Sequence, residues 1–216
     1  YSVSHDLRAP LRAIDGFSRM VEEDHATGLD AEGRRLLGVV REAARRMGRL
    51  IDDLLAFSRA GRQDLKKSDV DVGELVRSVL AEVLPEEERQ KTDVSIGELP
   101  PVAADAALLR QVFVNLLSNA VKFSATRPRR SIRVTGRRED GRVVYDVEDN
   151  GVGFDMAYAG KLFGVFQRLH GREFDGTGVG LALAERIVSR HGGSISAFGE
   201  LDRGARFTVS IPEAGG

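Results

Sequence analysis

Apolar residues recur every three and four positions through the first sixty residues, and the period then gives way to shorter, mixed patterns. Leu7, Leu11, Ile14, Ser18 and Val21 line one face of a helix over 1–23. Leu37, Val40, Ala44, Met47, Ile51, Leu54 and Ser58 do the same over 31–60, as a heptad seam. Between them Gly28 stops the first helix and Asp30 caps the second. Two antiparallel helices have too little surface for a core of their own, so pairing with a second copy through residues 1–60 would close a dimeric four-helix bundle. Packing of the hairpin on the rest of the chain is the alternative.

The period is lost over Gly61–Ser68, where charge rises. This divides the chain into a hairpin at 1–61, a linker at 62–68 and a second domain at 69–216. In the second domain Asp71 caps a helix to about Leu84, which Pro85 ends, and Asp105 opens a helix through Lys122. Val94–Ile96 suits a short strand. Ser131–Arg138 and Arg142–Glu148 alternate as strands around an Asp140-Gly141 turn. A helix follows Gly180 to about Arg190, and Ser194–Phe198 and Ala205–Ile211 form a last strand pair. The fold class is α+β: a helical hairpin, then an α/β sandwich with helices over one sheet face.

Composition narrows the function. Lys+Arg 32 against Asp+Glu 33 leaves a net charge of −1, with no basic excess for nucleic acid or an anionic membrane. No cysteine is present, so disulfides and thiolate metal sites are excluded. No apolar run reaches the roughly 18 residues of a spanning helix, and no signal-peptide pattern is seen. The chain reads as soluble and cytoplasmic, without direct membrane contact. The first helix starts abruptly at Tyr1, uncapped, as if cut from a longer one, which predicts an upstream segment.

With Leu7, Leu11 and Ile14 on the seam, His5 points outward, within reach of another domain. An imidazole that accepts a phosphoryl group must be neutral, with one nitrogen free and the other holding its proton against a partner. Asp6 is the candidate partner, although neighbours on a helix do not face one another; a helix-start carboxylate is its alternative role. Pro10 lacks a donor and crowds the carbonyl of Asp6. It is either a kink that lets the helix bend or a tolerated irregularity.

A second set of residues suits a nucleotide. Asn115, Asn119 and Lys122 share one helix face, two amides for a phosphate-bound Mg²⁺ and an ammonium for the phosphates. Asp149, at a strand end before Gly151 and Gly153, can accept from the amino group of adenine. Gly176, Gly178 and Gly180 precede a helix whose N–H groups can meet phosphate. Phe163 and Phe166, among glycines, fit either a closing lid or a loop with two core phenylalanines. No dinucleotide fingerprint or P-loop is present.

Together these motifs resemble the sensor histidine kinases of bacterial two-component signalling, over essentially the whole chain. His5-Asp6-Leu7-Arg8-Ala9-Pro10 resembles the family's histidine box and Asn115 through Phe123 its asparagine box. Asp149-Asn150-Gly151-Val152-Gly153 resembles the first glycine box, Phe163-Gly164-Val165-Phe166 the phenylalanine box, and Gly176-Thr177-Gly178-Val179-Gly180-Leu181 the second glycine box. The resemblance implies an ATP-binding domain of the kind shared with type II topoisomerases and heat-shock chaperones. It implies ATP and Mg²⁺ as cofactors and a response-regulator receiver domain as partner. His5 would accept the γ-phosphoryl with Asp6 assisting, and Asn119 would ligate Mg²⁺ with Asn115 in support. Lys122 and Arg168 would contact phosphates, and Asp149 would read adenine. Four residues after the histidine, where many relatives carry Thr or Asn, this chain has Ala9, so weak phosphatase activity is expected. The rival readings are a nucleotide-binding scaffold with decayed catalysis and a serine/threonine kinase of the same ATP-binding fold.

Overall fold

The computed structural model describes residues 2–25, 28–61, 64–171 and 174–213, with the side chains of 2–6 outside that description. The chain divides into two compact units, Tyr1–Ser58 and Arg59–Gly216.

The first unit is the hairpin of α1 (Ser2–Asp24) and α2 (Ala31–Ala60). Asp30 caps α2, its Oδ1 accepting from the Gly33 N–H at 2.7 Å. The helices meet through Leu11, Ser18 and Ala44, all buried. Arg8 pairs with Asp52, while Arg41 and Arg45 both reach Asp15 across the helices. The rest of the expected seam does not close within the chain. Leu7, Ile14, Val21, Val40, Met47 and Leu54 stay exposed, and so do Phe17, Met20, Leu36 and Val39, which the heptad reading omitted. The seam is therefore split, part of it spent inside the hairpin and part left in an open apolar stripe.

The second unit opens with β1 (Lys67–Val70), α3 (Val72–Val83), α4 (Glu86–Arg89), β2 (Thr92–Ile96) and β3 (Val102–Asp105). It continues with α5 (Ala106–Ser124), β4 (Arg130–Glu139) and β5 (Arg142–Asp149). A 3₁₀ turn at Met156–Lys161, α6 (Gly180–Arg190), β6 (Ser194–Glu200) and β7 (Gly204–Pro212) complete it. Five strands form one sheet in the order β2-β4-β5-β7-β6, antiparallel except for β2 beside β4. β1 and β3 pair separately, so strand begins at Lys67, inside the segment read as linker. Asp71 and Asp105 cap α3 and α5 by accepting from Glu74 and Leu108 N–H groups. Asp140 and Gly141, with φ of 50° and 71°, make the tight turn between β4 and β5.

Helices cover one face of the sheet. α5 supplies Val112, Phe113, Leu116, Leu117 and Ala120 to the core, against Val143, Tyr145 and Val147 of β5, and Phe113 packs edge-on to Tyr145 at 5.8 Å. Strand alternation then puts Asp149 on this covered face, two residues beyond Val147. At the far end His191 is buried, Nε2 accepting from the Asp105 N–H at 3.0 Å and Nδ1 within 2.8 Å of the Ile187 carbonyl. Among the described residues no helix is long and apolar enough to cross a membrane.

Candidate nucleotide and phosphoacceptor sites

His5 and Asp6 lie in α1, but their side chains fall outside the described residues. Pro10 stands inside that helix, and Ala9 beside it is exposed.

In the second unit the C-terminal end of α5, the end of β5 and the start of α6 converge. Asp149 closes β5, and its Oδ1 accepts from the Gly151 N–H at 2.8 Å. Burial pushes its carboxyl up to about 6, against the opposing pull of the Gly151 and Ala205 N–H groups. Gly151 has no room for a side chain, since a Cβ there would lie 2.5 Å from the Phe123 carbonyl oxygen. Gly153, at φ 62°, is more constrained still: a Cβ would sit 1.9 Å from the Glu200 carbonyl. The first glycine segment is thus wedged between the end of α5 and the β6–β7 turn.

Lys122 projects to the second glycine segment, its Nζ 3.3 Å from where a Cβ on Gly176 would stand, and it also lies over the Phe123 ring at 4.3 Å. Burial pushes its ammonium down and the Arg168 guanidinium pushes in the same direction, with Asp175 opposing. Two cations thus repel across a part-buried space, an arrangement that a polyanion would relieve. α6 begins there with no side chain capping its N-terminus at Val179, so its first N–H groups and dipole face the same region.

Arg168 does not stand free: it donates to the Gly171 and Phe174 carbonyls at 2.7 and 2.5 Å. Phe123, His170 and Phe174 stack with ring centroids 5.0–5.5 Å apart, tying this loop to α5. Phe163 is half-buried; Phe166 is exposed and holds φ 64°, unusual for a residue with a side chain. Its N–H donates to the Gly178 carbonyl at 2.9 Å, so the phenylalanine segment and the second glycine loop are knit together.

The two asparagines differ. Asn115 donates to the Gln111 carbonyl at 3.0 Å, and its Oδ1 lies 2.6 Å from the place of a Cβ on Gly180. It therefore packs α5 against the start of α6, which needs glycine there. Asn119, half-buried one turn on, makes no side-chain hydrogen bond among the described residues. Thr177 accepts the Val179 N–H at 3.4 Å, and Leu181 lies half-buried in the first turn of α6.

Three contributors were not expected from the sequence. Arg127 donates to the carbonyls of Asn150, Gly151 and Asp202. Asn150 Oδ1 accepts from the Ser131 N–H at 2.9 Å and its Nδ2 donates to the Arg129 carbonyl. His170 joins the aromatic cluster. Only Asn150, between Asp149 and Gly151, carried any sequence signal.

Residues 1–63 match the model of the His Kinase A (phospho-acceptor) domain, and residues 104–215 match that of the Histidine kinase-, DNA gyrase B-, and HSP90-like ATPase. The chain belongs to the histidine kinases. This histidine kinase is 33% identical over 213 residues to the phytochrome-like protein Cph1 of Synechocystis sp., covering 98% of this chain and 28% of that protein. It is 36% identical over 214 residues to the methanogenesis regulatory histidine kinase FilI of Methanothrix harundinacea, covering 98% and 24%. The chain therefore spans about a quarter of the length of these curated relatives. Full-length ShkA in complex with AMPPNP superposes with a TM-score of 0.74 at 31% identity, over 100% of this chain and 45% of that one.

Proposed function

We propose that this histidine kinase autophosphorylates on His5 from ATP and passes the phosphoryl group to an aspartate of a response regulator. One observation carries the reading: a phosphoacceptor hairpin and an ATPase domain with a desolvated lysine against the glycine loop that leads into an uncapped helix occur in one chain. A ring nitrogen of His5 attacks the γ-phosphorus, the bond to the β–γ bridging oxygen breaks, and ADP leaves. Asp6 takes or orients the proton on the other ring nitrogen. A regulator carboxylate then attacks the phosphohistidine, and the imidazole leaves.

Within the ATPase domain Asp149 accepts from the adenine amino group, the wedged Gly151 and Gly153 let the base lie against backbone, and Lys122 and the start of α6 meet the phosphates. Arg168 would exchange its loop carbonyls for phosphate. Asn119 fits Mg²⁺, because its amide is uncommitted among the described residues and no cluster of three acidic or histidine side chains competes for the ion there. The nucleotide's phosphates would supply most of the remaining ligands. When bound, Mg²⁺ neutralises charge on the transferring phosphoryl group; Asn115 keeps α5 and α6 in register for it. ShkA's complex with AMPPNP, an adenine nucleotide analogue, supports the nucleotide class.

The open stripe of the hairpin supports a homodimer through residues 1–60, and ATP as donor fits a cytoplasmic address. The division we propose is a phosphoacceptor hairpin over 1–61 and an ATP-binding domain that takes in β1 from Lys67 onward. Phosphatase activity is weak, since the methyl group of Ala9 cannot orient water. Transfer of label from γ-labelled ATP to His5, and then to a receiver domain, tests the whole scheme.

A further inference from the structure

We propose that Arg127 is a positioning residue for adenine recognition, fixing the two peptide planes that aim Asp149; the proposal rests on Asp149 as the adenine acceptor. Arg127 Nε donates to the Asn150 carbonyl at 3.0 Å, and Nη2 donates to the Gly151 carbonyl at 3.0 Å and the Asp202 carbonyl at 2.6 Å. Asp202 Oδ1 stands 3.4 Å from the same nitrogen.

The consequence follows from peptide planarity. A trans peptide points its carbonyl and its N–H in opposite directions, so fixing one fixes the other. The unit that joins Asn150 to Gly151 offers its oxygen to Arg127 and its N–H to Asp149 Oδ1 at 2.8 Å. The next unit offers the Gly151 oxygen to Arg127 and the Val152 N–H to the Phe123 carbonyl at 3.2 Å. One guanidinium therefore holds the outer edge of both planes. Their inner edges hold the carboxylate and the end of α5.

The third bond extends this hold to the β6–β7 turn. The Asp202 N–H donates to the Val152 carbonyl at 2.8 Å, and Gly153 and Gly204 are packed so closely that added Cβ atoms would lie 1.9 Å from the Glu200 and Asp149 carbonyls. Glycine at 151 and 153 removes the side chains that would otherwise restrict the loop, so restraint has to come from outside it. A lysine could reach one of the three carbonyls but not span them, because only guanidinium offers a rigid fork.

The test compares R127A, R127K and D149A with the unmodified chain by calorimetry, using ATP and inorganic tripolyphosphate as probes. R127A should weaken ATP at least tenfold while tripolyphosphate, which has no base, binds within about twofold of the unmodified chain. The pH midpoint of ATP binding should rise in R127A as Asp149 loses its Gly151 bond, and R127K should fall between. Equal loss for both probes would overturn the proposal, since the damage would then not be at the base. Unchanged ATP affinity and midpoint in R127A, with D149A impaired, would overturn it also. D149A that binds ATP normally would overturn the reading of Asp149 itself, and this proposal with it.

Discussion

Lys122 faces Gly176 so closely that a Cβ there would lie 3.3 Å from its ammonium nitrogen. The contact joins the asparagine segment to the second glycine loop at the point where the Lys122 ammonium and the Arg168 guanidinium repel one another. Gly176→Ala should displace the ammonium by a few tenths of an ångström and raise KM for ATP roughly fivefold, about 1 kcal/mol. Gly180→Ala should do more, since its Cβ would meet Asn115 Oδ1 at 2.6 Å. Steady-state kinetics on both variants check this; an unchanged KM in each would mean the loop does not meet phosphate.

Asp149 gives a pH dependence. It must be ionised to accept from adenine, and its carboxyl in the free protein is raised to about 6. ATP affinity should fall as pH drops through 6 and be flat above 7. The folded value lies above the ordinary 3.8, so the folded protein holds this proton more tightly. Its contribution to stability is full below 3.8 and is lost as pH rises to about 6. Asp149→Asn should therefore raise the melting temperature of the nucleotide-free protein above pH 6, by up to about 3 kcal/mol of stability, with the two proteins converging near pH 4. Calorimetry and thermal melts across pH 4–8 measure both.

The open stripe of the hairpin predicts a monomer on charge insertion. Phe17 is 66% exposed in the single chain, and Met47 is also exposed. Apolar burial contributes on the order of 25 cal/mol per Å². Phe17→Asp or Met47→Asp should therefore raise the dimer dissociation constant at least a hundredfold. Light scattering that finds each variant still dimeric would place the interface elsewhere.

Much of this was legible in the sequence for a physical reason. Helix periods, the caps at Asp30, Asp71 and Asp105, and the Asp140-Gly141 turn are local signals, and each is present in the structure. What was missed depends on distant partners. β1 is mostly exposed and charged, so Lys67–Val70 has no strand signature until Val102–Asp105 pairs with it. Arg127 reads as one arginine among several in a loop, and only the fold brings the carbonyls of Asn150 and Asp202 to it. The heptad reading followed one stripe per helix and assigned it to pairing with a second copy. In the structure that seam is split, Leu11, Ser18 and Ala44 closing within the hairpin while Leu7, Ile14 and Val40 stay exposed with Phe17 and Leu36.

Ala9 predicts the balance between kinase and phosphatase. Attack on a regulator's phosphoaspartate needs a positioned water, and Ala9, exposed one turn from His5, offers no polar atom to hold it. Ala9→Thr should speed regulator dephosphorylation severalfold and leave autophosphorylation unaffected. Decay of phosphorylated regulator with ADP removed is the measurement; rapid decay with the unmodified chain would assign the water to another residue.

The most direct test of the account is incubation of the chain with γ-labelled ATP and Mg²⁺, followed by acid and base treatment, in parallel with His5→Gln. Label that survives base, is lost in acid and is absent from His5→Gln, while that variant still binds ATP, is the predicted result. Acid-stable label, or undiminished label in His5→Gln, would contradict phosphoryl transfer to His5.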